Sequence, residues 1–414
     1  MTGAGNVTLI KRIGILLSLD PHGGGTYQWT LNMLNVLNDY FHDNHNVKIY
    51  VFFYRKSFPI EIYKAKYSSF CFYEISNIDA SAMRWLTKVF IYMPVFVSVI
   101  RYIYPLNFAL KKENIDLMIF PGAMIETVFC RSNAMFMFTD IMHVFYPRFP
   151  EVSANGNLRY RNLVFKYGIK YASQIVVETK QLKEDIIKYY NANGKKVDVL
   201  LQTMSKNIEN DEDDKGDEEV IAFKKQLPEK YIFYPAQLWE HKNHKNLLFA
   251  MKLIIMKMPD LKLVLTGSRK NGDEKIFELI KGLELKNDVK YYGYVADKYM
   301  PVLYKNAQML VMPTYFGPTN IPTVESFYYG TPAVISNIPG VTEQTGDAAL
   351  LFDPDSPEDI ADKIMIMLAN KELRKEKIKL GYERIKLLSY ENYMRKYFNI
   401  LNRNLDNKRY SNAK

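Results

Sequence analysis

The sequence predicts an α/β fold made of two Rossmann-like, doubly wound domains facing each other across a cleft. Three observations carry that expectation. The chain has 414 residues, more than one core ordinarily holds, which suggests two domains of roughly 200 residues each. Hydrophobic content of 48% and charged content of 24% are globular values. Continuous apolar runs alternate with amphipathic helical runs along both halves, the pattern of parallel strands covered on both faces.

In the first half "RIGILLSL" reads as a strand leading into a helix from about Thr26, and "VKIYVFFY" follows. "DLMIF", "AMFMFTD", "QIVVET" and "VDVLLQT" continue the theme. The run "IGILLSL" is short and leads into Asp20-Pro21 and a glycine loop, so it reads as a first strand and not as a signal peptide. The second half is more regular. "YIFYPA" precedes the helical "KNHKNLLFAMKLIIMKM", "KLVLTGS" precedes "EKIFELIKGLEL", and "VKYYGYV" precedes "DKYMPVLYKNA". "QMLVMPT", a short helix and "TPAVISN" complete it. Between the halves lies "NIENDEDDKGDEEV", which has no apolar period and reads as a solvated linker, since nothing apolar orients its carboxylates towards a metal. The resulting division is 1–205 for the first domain, 206–222 for the linker and 223–390 for the second domain. Residues 391–414 form a last helix expected to pack back on the first domain.

The net charge of +10 favours an anionic partner, whether membrane surface, nucleic acid or phosphorylated substrate. No module of clustered basic and stacking residues is present, so nucleic acid is not expected. The only cysteines, Cys71 and Cys130, fit no metal or redox spacing, which suits a reducing cytosol. The most membrane-like stretch, Met83 to Lys112, is interrupted by Lys88, Pro94, Arg101 and Pro105 and lacks the roughly 18 apolar residues of a spanning helix. It reads either as an interfacial segment flanked by Arg84, Lys88, Arg101, Lys111 and Lys112, or as a buried helix pair.

In doubly wound sheets ligands sit at the carboxyl ends of the strands, so the strand-to-helix turns are where chemistry is expected. The turn "LDPHGGGTYQ" brings glycine amides to a helix start, which serves either tight packing or contact with an anion. It lacks G-x-G-x-x-G spacing. In "YPAQLWEHKNHKNLL", Lys242 falls at a helix start, where its charge suits a diphosphate; the alternative is a solvated lysine. His241 and His244 beside it have no third ligand, so no metal is expected. In "PTYFGPTNIPTVESFYYGTPAV", Pro322 suits the first helical position and Glu325 lies in the first turn. The helix dipole is expected to keep Glu325 ionised, able to accept from vicinal ribose hydroxyls, and the amides from Gly317 to Asn320 are expected to face a ligand. Asp140 and His143 in "FTDIMHVFYPRFPEV" follow a buried strand across the cleft, each readable as catalytic or as an ordinary loop residue.

"YPAQLWEHKNHKNL", "LVLTGS", "YYGYV", "LVMPTYFGPTNIPTVESFYYGTPAVISN" and "TEQTGDAALLFDP" together resemble the C-terminal domain of family-four glycosyltransferases. The glycine loop and "DIMHVFYPRFPEVSANG" resemble the N-terminal half of the same family. The resemblance implies a GT-B fold, retaining transfer from a UDP- or GDP-linked sugar, and no catalytic metal or added cofactor. It implies Lys242 on the donor diphosphate, Glu325 on the ribose, Gly24 and Gly25 near phosphate and acceptor, and Asp140 as the aspartate of a His-Asp pair. By the same resemblance the donor-binding set takes in Gln237, Gly267, Tyr294, Gly317, Thr319, Asn320 and Ile321. Three positions depart from the family pattern. Gln237 stands where an arginine is usual, Gly317 where a first glutamate is usual, and Thr139 where the histidine of the His-Asp pair is usual.

The reading from sequence is therefore a retaining, metal-independent hexosyltransferase acting on a glycan or lipid-linked acceptor in surface polysaccharide synthesis, of the O-antigen or capsule kind. It is expected to be cytoplasmic, or peripheral on the inner face of the plasma membrane through an anionic lipid surface. The rival is a catalytically degenerate GT-B protein that binds a nucleotide sugar or partners another transferase, for which Thr139, Gly317 and Gln237 speak.

Overall fold

The computed structural model describes residues 10–17, 25–44, 46–54, 60–203 and 217–406. Two sheets, both wholly parallel, organise the chain. The first has the order β3-β2-β1-β4-β5-β6-β7. Its strands are β1 (Lys11–Leu17), β2 (Val47–Tyr54), β3 (Cys71–Ile75), β4 (Leu117–Pro121), β5 (Ala134–Phe138), β6 (Gln174–Val177) and β7 (Val197–Val199). The second has the order β10-β9-β8-β11-β12-β13. It comprises β8 (Tyr231–Pro235), β9 (Lys262–Thr266), β10 (Val289–Tyr291), β11 (Met309–Met312), β12 (Ala333–Ser336) and β13 (Ala349–Phe352).

In each sheet the winding reverses beside the first strand, at β1/β4 and at β8/β11. The loops that leave these strands diverge there and open a crevice at the carboxyl edge. Helices cover both faces, so the central strands β4, β5 and β11 are buried along their whole length.

The helix Tyr390–Asp406 returns to the first sheet. Tyr390, Tyr393, Tyr397, Ile400, Leu401 and Leu405 are buried in one cluster with Ile13, Ile15 and Tyr40. The Tyr390 hydroxyl donates to Asp39 at 2.8 Å, and that of Tyr40 to Asn402 at 2.5 Å. The expected linker 206–222 differs at its end. Glu218–Lys224 is a helix whose first amides donate to the Asp217 carboxylate, and Lys298 pairs with Asp217 and Glu219, so charge and capping order what composition made look like linker. Residues 206–216 lie outside the described residues.

The stretch from Met83 to Lys112 has a buried face and an exposed apolar face. Helices Asn77–Tyr92, Val97–Ile103 and Pro105–Lys112 bury Met83, Leu86, Phe90, Ile100, Leu106 and Leu110. Their outer faces expose Trp85 at 63%, Tyr92 at 75%, Tyr102 at 68% and Phe108 at 62%, and the turn Pro94–Phe96 between them exposes Val95 at 81%. Arg101 does not belong to the basic flank: its guanidinium stacks on Tyr171 at 3.9 Å and donates to the Val128 carbonyl at 2.5 Å. Among the described residues no helix is long and apolar enough to cross a membrane.

Candidate active site

The site is built from the loops that leave β8 and β11 on one side of the cleft and β5 and β6 on the other. After β8 the chain makes the single turn Glu240–Lys242 and then starts the helix His244–Ile255. Asn243 joins the two in the left-handed conformation, φ 57°. Its side-chain amide donates to the Pro313 carbonyl at 3.0 Å and the Pro354 carbonyl at 2.8 Å, while the Tyr234 hydroxyl donates to the Lys242 carbonyl at 2.8 Å. These bonds tie the backbone of Lys242 to the loop that follows β11. Burial brings its ammonium down to about 8, and the charge of Asp140 opposes that fall.

Gln237 accepts from the Trp239 indole at 2.9 Å. Gly267, at φ +123°, lets the loop after β9 press on this turn, since a Cβ there would lie 2.5 Å from the Ala236 carbonyl oxygen. Its role in the structure is therefore close packing of two loops. Tyr294 is 61% exposed beyond β10.

After β11, Gly317 takes φ +84°, a conformation that favours glycine. The Asn320 side-chain amide turns back to donate to the Gly317 carbonyl at 2.5 Å, and the Asn320 backbone N–H donates to Gln344 Oε1 at 2.8 Å. Asn320 thus holds the loop closed, and its amide is not the free ligand-facing donor that the sequence suggested. The helix runs Ile321–Tyr328, with Pro322 at its second position, one residue later than expected. It packs on Lys371–Leu387, where Gly381 admits Phe327. Glu325 accepts from the Tyr304 hydroxyl at 2.6 Å. Glu325 is the fifth residue of this helix and not in its first turn as expected, so the dipole helps it little, and burial raises its carboxyl to about 7.

Across the cleft, Asp140 lies two residues beyond β5. It accepts from the Met142 N–H at 3.0 Å and the Thr139 hydroxyl at 3.3 Å, and burial raises its carboxyl. A cavity of about 190 Å³ opens between the domains, lined by Thr139, Asp140 and Thr179 on one side and Gly317, Pro318 and Ile338 on the other.

His143 is not at the cleft. It is 2% exposed, its Nε2 lies 2.6 Å from the Tyr190 hydroxyl, and its ring lies 4.6 Å from that of Phe165. Burial lowers it to about 4. It is a core residue of the first domain, because the short turn Met142–Phe145 aims it inwards. Gly24 lies outside the described residues, and Gly25 opens the helix Gly25–Asp43.

Several cleft residues were not singled out by sequence reasoning. Glu178, the residue after β6, is 4% exposed and accepts from the Thr319 hydroxyl across the cleft. Burial, with a smaller push from neighbouring Asp140, brings it up to about 8 against the Thr319 hydrogen bond. Glu151 accepts from His241, from the backbone N–H at 3.0 Å and from Nδ1 at 2.6 Å, and from Asn271 at 2.8 Å. Burial works against its charge, but these bonds hold it down at about 2. Glu343 caps the helix Lys180–Tyr190 from the other domain, accepting from the Lys180 and Gln181 amides at 2.7 and 2.9 Å. The signal for Glu178 was present, since it ends an apolar strand at the same edge as Asp140. Among the described residues no three His, Cys, Asp or Glu side chains converge as metal ligands.

Residues 217–384 match the family described as glycosyl transferases, group 1. The chain is 30% identical over 163 residues to the O-antigen chain mannosyltransferase B of Escherichia coli, covering 39% of this chain and 43% of that protein. It is 24% identical over 196 residues to the O-antigen chain mannosyltransferase RfbU of Salmonella typhimurium, covering 47% and 51%. The chain thus spans about half the length of the curated relatives it matches. The structure of Anabaena HepE in complex with UDP-glucose superposes with a TM-score of 0.69 at 14% identity, covering 94% of this chain and 99% of that one. Residues 217–384 thus resemble the group 1 glycosyl transferases, and the two parallel sheets with this structural likeness give the chain a GT-B fold.

Proposed function

We propose that the chain moves a sugar, with retention, from a UDP- or GDP-linked donor to a glycan or lipid-linked acceptor in surface polysaccharide synthesis. The observation that carries this is Lys242, an ammonium held at the β8/β11 switch point beside the helix that bears Glu325. A diphosphate placed there meets a desolvated positive charge, and a ribose placed at the start of the helix Ile321–Tyr328 meets a carboxyl. The similarity to two O-antigen mannosyltransferases supports the acceptor class.

In the reaction the anomeric carbon–oxygen bond breaks and its electron pair stays on the departing diphosphate. The acceptor hydroxyl bonds to the anomeric carbon on the same face, and its proton passes to a phosphate oxygen. Lys242 stabilises the charge that develops on the leaving group. Asp140, across the cleft, favours the protonated lysine. Since the leaving group takes the proton, Thr139 need not be a base.

The apolar outer face around Trp85, Tyr92, Val95 and Phe108, rimmed by the exposed Arg84, Lys88, Lys111 and Lys112, docks the enzyme on an anionic membrane where a lipid-linked acceptor is presented. The test of the activity is transfer of labelled sugar from UDP-glucose or GDP-mannose to membrane-extracted acceptors, with and without EDTA. Transfer that survives the chelator is expected. Loss in EDTA restored by manganese would overturn the metal-independent mechanism, and absence of transfer with either donor would overturn the activity.

A further inference from the structure

Glu178 has no place in the mechanism above, yet its surroundings are those of a ligand-reading group. The register pairs Phe138 of β5 with Val177 of β6, so Thr139 and Glu178 leave the sheet side by side, with Asp140 next along the edge. Glu178 is 4% exposed. Its one hydrogen-bond partner among the described residues is the Thr319 hydroxyl, contributed by the loop after β11. A carboxyl can engage about four partners, so most of its hydrogen-bonding capacity is unused in a place where water is scarce. Leaving a buried polar group in that condition costs stability, and such arrangements cluster at ligand sites.

The position of this carboxyl suggests what it reads. With the donor's diphosphate at Lys242 and its ribose at Glu325, as proposed above, the sugar beyond the diphosphate would project towards the first domain. It meets the loop that starts at Gly317, which brings no side chain, and the strand edge that carries Asp140 and Glu178. A neutral or ionised carboxyl is well suited to vicinal hydroxyls, accepting from one and, when protonated, donating to another. Burial, which pushes Glu178 up to about 8, keeps the second option open at neutral pH.

We propose that Glu178 reads the hydroxyls of the transferred sugar from the first domain, alongside Thr319, and so sets the choice among donor sugars. This rests on the nucleotide-sugar reading given above.

The test compares the purified full chain with Glu178→Gln and Glu178→Asp. Dissociation constants are measured by calorimetry for UDP, GDP, UDP-glucose, UDP-galactose, GDP-mannose and GDP-glucose, with Tm as a check on folding. Glu178→Gln should leave the affinity for the bare nucleotide within about twofold, weaken the preferred nucleotide sugar roughly tenfold, and narrow the preference between epimers. If Glu178→Gln does not fold, Glu178→Asp, which withdraws the carboxyl by one methylene, gives the same contrast. Unchanged sugar affinity and epimer preference would overturn the proposal while leaving the transferase reading intact. So would an equal loss for nucleotide and nucleotide sugar, which marks a structural role. Failure of the wild type to bind any nucleotide sugar would defeat both.

Discussion

Replacing Lys242 by methionine should push ligand-free stability and donor binding in opposite directions. Burial brings the ammonium from 10.5 to about 8, a penalty of roughly 3 kcal/mol on the charged form. Methionine fills similar space without charge. Removing the ammonium also strips Asp140 of a favourable neighbour, which offsets part of the gain, so a net stabilisation of about 1–2 kcal/mol is expected, or a few degrees in Tm. The sign follows from linkage. The folded-state value lies below the unfolded one, so the penalty is complete below pH 8, where both states hold the proton. It fades between pH 8 and 10.5, where the folded state releases its proton first. The variant's advantage should therefore be present at pH 7 and nearly gone at pH 10. Donor binding moves the other way: one charge-assisted contact is worth about 1.5–3 kcal/mol, or roughly ten- to a hundredfold in Kd. Thermal denaturation at the two pH values and calorimetry with the nucleotide sugar measure both effects. A variant less stable than wild type at pH 7, yet equal in donor affinity, would refute the assignment of Lys242 to a desolvated phosphate site.

Glu325→Gln should lower kcat/KM at least about tenfold at pH 8 and less at pH 6, because the wild-type carboxyl, raised to about 7, is itself largely protonated there; an equal effect at both pH values would count against a carboxylate on the ribose. Flotation with phosphatidylglycerol vesicles should weaken in salt, and neutralising Arg84, Lys88, Lys111 and Lys112 should cost about 1 kcal/mol per charge near the surface. Replacing Trp85 and Tyr92 by serine should weaken it independently of salt, and flotation indifferent to both sets of changes would remove the membrane face.

The fold was largely legible because parallel strands buried on both faces write continuous apolar runs. "VKIYVFFY" is β2 residue for residue, and "YIFYPA" and "QMLVMPT" enclose β8 and β11. Two strands were not read. β3, "CFYEI", is an edge strand with one buried residue, and β13, "ALLF", is four residues long at the other sheet's edge. Edge strands bury less and so carry a weaker pattern. Within the site, Lys242 and Glu325 were legible because glycine, proline and asparagine punctuate the turns around them. Glu178 was passed over although it ends an apolar strand at the same edge as Asp140, because its partner Thr319 lies 141 residues away. Alone in sequence, a glutamate before a helix reads as a solvated first-turn charge. His143 failed for the opposite reason: it sits beside a cleft residue in sequence, but one turn of helix is enough to face it into Phe165 and Tyr190.

The departures in the loop after β11 belong together physically. At φ +84° a non-glycine residue at 317 is disfavoured by roughly 1–2 kcal/mol, so this loop shape and a glutamate at that position oppose each other. The shape is then held by contacts that a free ligand-facing loop would not have: Asn320 to Gly317, Asn320 to Gln344, and Thr319 to Glu178. Gln344 is in turn anchored by Arg384, whose guanidinium Nε donates to its carbonyl at 2.7 Å. The helix that carries Arg384 is the one on which the Glu325 helix packs through Gly381 and Phe327. One line of contacts therefore runs from the second domain's outer helix through the loop to the first domain's carboxyl edge. A loop pinned this way offers a backbone whose position is fixed, and on the proposal above the carboxyl that reads the sugar comes from the other side of the cleft.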